Sequence, residues 1–173
     1  MRPVIHVGVA VLVAWAGGIL SAAEAHKLEV FKGAPPKGLS EKIAAQLGEN
    51  AYRVIGPKGP VCEIWLVKEM PVKDEFKTTL QVKYPLTPGQ LLGAVHLPTS
   101  GAELDFRGQE LPAGVYTLRY GQQPQDGNHL GTSDVSDFGL ACSAELDQDP
   151  ATIPGIKDLF KLSAKASGTA HPA

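Results

Sequence analysis

The residues best suited to chemistry in this chain crowd into one stretch. From Arg119 the sequence reads RYGQQPQDGNHLGTSDVSD, which gathers Gln123, Asp126, Asn128, His129, Ser133, Asp134, Ser136 and Asp137. Three chemistries use such residue types. A calcium loop needs hard oxygen ligands at fixed offsets. Asp126-x-Asn128-x-Leu130-Gly131, with Asp134 ninth and Asp137 twelfth, matches that pattern in part. Leu130 occupies a ligand position and the flanks read as strands, so turn formation by Asp and Asn side chains explains the same residues. A copper site would draw on His26 with His96 or His129, since imidazole suits that metal. None of these histidines forms an H-x-H or H-x-x-x-H pair, and the idea rests on a free amine at His26 chelating together with its own imidazole. A hydrolase would need a positioned nucleophile. Ser133, Ser136, His129 and Asp134 supply the types without a G-x-S-x-G elbow.

Binding without catalysis fits the stretch better. Structureless loops longer than about 12–15 residues are uncommon in compact domains and are usually functional or disordered. The 121–136 segment is polar, and Pro124, Gly127 and Gly131 give it a shaped path. Arg119, Gln123, Asp126, Asn128, His129 and Asp134 are therefore the expected ligand-binding residues. The partner is an unidentified protein or small ligand, and no cofactor is called for unless copper or calcium binds. Arg119 is expected to hold one of the loop carboxylates, because its planar donors suit bidentate pairing. Tyr84, Tyr116 and Tyr120 offer aromatic surface, although aromatics at alternate strand positions are more often core.

The rest of the chain must position that loop. Arg2 followed by the apolar run 4–20 and Ala23-Glu24-Ala25 reads as a secretory signal over residues 1–25, cleaved before His26. The expected product is exported, periplasmic or extracellular, with no membrane span left after cleavage. A formal charge of −2 lacks the basic field that nucleic acid would require. Residues 26–164 are expected to form a single domain and 165–173 a disordered tail.

Alternation and Gly/Pro punctuation predict about seven short strands packed as an antiparallel β-sandwich of immunoglobulin or transthyretin type. The strand-like runs are AYRVI, VCEIWLVKE, FKTTLQVKY, GQLLGAVHL, AELDF, VYTLRY and DFGLACSA, with HKLEVFK a short strand or extended lead-in. LSEKIAAQLGEN reads as a two-turn helix capped by Ser40, and ATIPGIKDLFKLSAKA as a C-terminal helix docking through Ile156, Leu159 and Phe160. Trp65 faces away from Cys62, Ile64 and Leu66 and is expected to lie beneath a helix. Cys62 and Cys142 both take inward phases. In an oxidising compartment they are expected to bridge facing sheets, closing about 80 residues for roughly 4–5 kcal/mol.

CEIWLVKEMPVK, VKYPLTPGQLLG and above all PAGVYTLRYGQQPQDGNHLG resemble a family of small exported bacterial proteins that share a PAGxYxLRYxxQPxDGNHxG-type segment. The resemblance covers roughly two-thirds of residues 26–173 and implies export and β architecture. It carries over no activity and no catalytic residue. PAGVYTL also looks like turn-strand pieces widespread in transthyretin-like modules.

Overall fold

The computed structural model describes residues 26–98, 105–124 and 133–173. The expected signal segment and the calls on Asp126, Asn128 and His129 lie outside those residues. Six strands form one antiparallel sheet: β1 (Lys27–Lys32), β2 (Leu47–Gly56), β3 (Gly59–Val67), β4 (Leu91–Leu97), β5 (Gly114–Gln122) and β6 (Asp137–Ser143). They lie side by side in chain order, each bonded to the next. The expected seven-strand sandwich is thus corrected to a single open sheet among the described residues. Among the described residues there are also two helices, α1 (Glu41–Ala44) and α2 (Ile156–Ser167). No helix of the described residues is long and apolar enough to cross a membrane.

Register assigns the faces. Trp65, Ala94, Thr117 and Cys142 stand in one row across β3 to β6, whereas Ile64, Val95, Tyr116 and Ser143 stand in the next. Successive rows point to opposite faces. The first may be termed the covered face. There Leu47, Ala51, Trp65 and Ala94 pack beneath Phe31, Leu39 and Val67. Trp65 is only 3 % exposed and donates its indole N–H to Gly33 O at 3.2 Å. Its cover is therefore the chain leaving β1, not the expected helix. At the far end of this face Leu140 and Cys142 pack on Leu159 of α2.

The other face is open at one end. Leu28 and Val30 share it with Tyr52, Val54, Ile64 and Leu66 by register and alternation, and Leu28, Val30 and Leu66 are exposed. Strand β3 is apolar in both phases, but the second sheet was expected from the number of short runs between Gly and Pro turns. Over β4 to β6 the cover comes instead from Leu111, Ala166 and Ala173, packed on Val95, Leu97, Tyr116 and Ala141.

Local chemistry explains where elements start and stop. A two-residue loop joins β2 to β3, with Gly56 opposite Gly59 and Gly59 at φ +120°. At Gly93 a Cβ would stand 2.0 Å from Trp65 O, so only glycine lets β4 approach β3 this closely. The expected two-turn helix is a single turn. Ser40 Oγ accepts from Ile43 N, but Leu47 onward is drawn into pairing with β3 and β1.

FKTTLQVKY is not a strand either. Thr79 Oγ1 accepts from Gln81 N at 3.3 Å and Val82 N at 2.9 Å, a side-chain turn that competes with extension and leaves Leu80 exposed. In the described part of AELDFRGQ, Asp105 likewise folds a turn by accepting from Arg107 N and Gln109 N. Segment 165–173, expected as a disordered tail, has a defined course here. It completes α2, turns at Gly168 in the left-handed region, and brings Ala173 O to Ala141 N on the β6 edge at 2.9 Å.

Candidate functional site

Strands β5 and β6 hold the two ends of the polar loop. Gln123 N donates to Ser136 O at 2.8 Å, one step beyond the pairing of Gln122 with Asp137. Ser136 N in turn donates to Gln81 O at 2.8 Å. Asp137 accepts from Lys83 N at 2.6 Å on one oxygen and from the Tyr120 hydroxyl on the other. Burial, followed by this carboxylate, pushes the Tyr120 phenol up to about 12. Both oxygens of the residue placed twelfth in the calcium reading are thus engaged by protein donors. Asp134 is exposed, and Ser133 Oγ bonds to Val135 O and Val135 N within its own turn.

Arg119 does not serve this loop. Alternation puts it on the covered face, fully buried, beside the chain that follows β6. Its Nε donates to Asp147 Oδ2 at 2.8 Å and its Nη2 to Asp147 Oδ1 at 2.7 Å. The remaining three N–H groups go to the Asp149, Gly89 and Ala151 carbonyls. Thr117 Oγ1 adds a hydrogen bond to Asp147. All five guanidinium donors are satisfied, and none remains for a ligand. The expected pairing of Arg119 with Asp126, Asp134 or Asp137 is replaced by this clasp. AELDQDP reads as a turn, and strand phase tells which face a residue takes but not which distant acid meets it there.

The cysteines are on opposite faces and in strands separated by β4 and β5. Three strand spacings put them roughly 14 Å apart, about twice the reach of a disulfide. The expected bridge is corrected accordingly. Matched inward phases were read as facing sheets, but with one sheet inward has two directions. Burial, followed by the Asp147 charge, pushes the Cys142 thiol up to about 12.

Two histidines of the copper reading, His26 and His96, are placed apart. His26 sits beside Gly56 at the turn end of β2, whereas His96 lies on β4. Three strand spacings and three residues along the strand separate them by more than roughly 15 Å. His96 Nδ1 instead meets Glu63 at 3.3 Å, and Arg53 bonds the same carboxylate at 2.6 and 2.8 Å. Burial raises the Glu63 pKa, but the hydrogen bonds and charges of Arg53 and His96 outweigh it and hold the carboxyl below its ordinary value. Arg53 also lies over the Phe31 ring, 4.5 Å from its centroid. Cross-strand register makes this row, and sequence spacing gave no sign of it.

A large concavity begins where the loop does. A groove of about 1200 Å³ runs between the open face and α2, walled by Val95, Leu97, Leu118, Leu111, Ala164 and Pro172. Gln122, Gln123 and Pro124 form part of its lining, so one residue expected to contact ligand, Gln123, borders it. Arg107, Lys161 and Lys165 also line it. Most of the wall is apolar, with few polar groups, the usual make-up of a ligand site. The chain matches no family model, no curated protein and no solved structure in the comparisons made.

Proposed function

We propose that this chain is an exported, non-catalytic binding protein that holds an apolar ligand in the groove between its sheet and α2, with Gln122, Gln123 and Pro124 at its border. The groove itself carries the reading. Its volume exceeds the roughly 300–1,000 Å³ of ordinary small-molecule sites, and its walls are aliphatic side chains held by the sheet. Supporting this, the two loop ends are fixed by Gln123–Ser136 and Tyr120–Asp137, so the residues at that border are held by a rigid base.

An uncharged solvatochromic dye such as Nile red tests the proposal. The protein should enhance its fluorescence saturably. Ala164→Trp, which fills the groove from α2, should weaken the binding roughly tenfold while circular dichroism stays unchanged. Dye binding that is absent, or equal in the folded variant, would reject the groove as the site.

A further inference from the structure

The groove has an electrical asymmetry that the chain as a whole lacks. The formal charge of the full sequence is −2. Yet the charged side chains lining the groove are Arg107, Lys161 and Lys165 against the side-chain carboxylate of Asp105, and the lining also includes His171 and Ala173 with its terminal carboxylate, which leaves the cations in excess. Asp105 is already engaged. Its Oδ1 accepts from Arg107 N at 2.8 Å and Gln109 N at 2.7 Å, and its Oδ2 accepts from Gln109 Nε2 at 2.6 Å. Those bonds hold the turn before β5, on which Arg107 is mounted. Lys161 and Lys165 are one turn apart on α2, hence on one helix face about 6 Å from each other. No ion pair engages any of the three cations among the described residues.

We infer that the groove takes an amphipathic anion, a single hydrocarbon chain ending in a carboxylate or phosphate, with the chain along the aliphatic wall and the head at Arg107, Lys161 and Lys165. This rests on the groove being the binding site. The cations are exposed, so the head group stays hydrated and loses little solvation on binding. Each contact is then worth a modest, salt-sensitive amount, and discrimination comes from several acting together. An uncharged chain fills the same wall without that gain. A cationic amphiphile meets repulsion from the same three cations, and inorganic phosphate lacks the apolar contact that supplies most of the affinity.

Displacement of Nile red by laurate, dodecyl phosphate, monolaurin, dodecyltrimethylammonium and inorganic phosphate separates these cases. Laurate or dodecyl phosphate should bind roughly tenfold more tightly than monolaurin, and whichever is tighter identifies the head. The advantage should fall below about threefold in Lys161→Gln/Lys165→Gln and in about 0.5 M salt, with monolaurin unaffected by either. Equal binding of monolaurin and laurate would overturn the anion inference while leaving the groove reading intact, because binding would still be seen. Tightest binding by the cationic amphiphile, or full displacement by inorganic phosphate alone, would also overturn it. Failure of every amphiphile and of the dye would instead remove the groove reading on which it rests.

Discussion

The two faces of this sheet are built from the same strands and solve opposite problems. The covered face buries a charge and satisfies it completely: Arg119 has five partners, two of them on the Asp147 carboxylate. Among the described residues the open face buries no comparable charge, and a polar contact there is the Tyr120 hydroxyl on Asp137 at the base of the loop. Part of it borders the groove, and part leaves Leu28, Val30 and Leu66 in contact with solvent. One face is locked by specific geometry, where a wrong neighbour leaves a buried group unpaired. The other is held by non-directional burial, which tolerates an exchange of partner. A binding function belongs on the second kind of surface.

Cysteine reactivity should show the largest difference between the faces. Cys62 is half-buried on the open face, whereas Cys142 is fully buried with its thiol pushed up to about 12. Labelling of the native protein by a thiol reagent should therefore be faster at Cys62 by roughly a thousandfold or more, because Cys142 waits for opening of the structure. In unfolded, unreduced protein both should label. A single oxidised pair found by mass spectrometry would refute the opposite-face placement.

The clasp comes next. Removing one member of a buried ion pair typically costs about 3–5 kcal/mol, so Asp147→Ala and Arg119→Ala should each lower denaturant stability by that order. The double variant Arg119→Met/Asp147→Leu should recover much of the loss, since an apolar pair strands no charge. If Asp147→Ala changes stability by less than about 1 kcal/mol, the covered face is not locked in this way.

Two neighbours in β3 sharpen the contrast within a single strand. Trp65 is 3 % exposed and Leu66 is 42 % exposed. Alanine at Trp65 should cost about 3–5 kcal/mol, whereas alanine at Leu66 should cost under about 1 kcal/mol. Equal losses would mean that the open face is covered in solution.

The smallest effect concerns pH. Interactions in the fold hold the Glu63 carboxyl below its ordinary 4.5. Its contribution is therefore present above the unfolded value and is lost as pH falls through the lower folded value. Glu63→Gln should destabilise the protein by less than about 1 kcal/mol at neutral pH, and the difference from wild type should shrink on acidification below 4.5. A difference that grows with acid would contradict the Arg53–Glu63–His96 row.

Much of the sheet was legible in the sequence because strands announce themselves locally. Alternation in VCEIWLV and VYTLRY, broken by Gly and Pro, marks β3 and β5, and GPKGP marks the hairpin between β2 and β3. What covers each face was not legible. Trp65 lies under Phe31 and Leu39, and Arg119 under residues that follow β6. Irregular chain of this kind has no periodicity to read. The many short runs between Gly and Pro turns therefore looked like the two sheets of a sandwich. FKTTLQVKY failed for the reverse reason: its alternation is real, but the Thr79 hydroxyl turns the backbone before a ladder forms. Of the expected binding residues, Gln123 borders the groove and Arg119 does not. The groove joins strand, helix and the residues after it, a convergence that no single segment records.

The unbroken order of the six strands has a kinetic consequence. Each strand finds its partner next along the chain, so the sheet can grow hairpin by hairpin. The entropic cost of closing loops then comes in small steps, and contact order is kept low for a β protein. The clasp is different: Asp147 follows β6 and meets Arg119 only after β5 and β6 have paired, while Gly89 must already be in place before β4. It belongs on the native side of the folding barrier. Substitutions at Asp147 should accordingly accelerate unfolding far more than they slow folding.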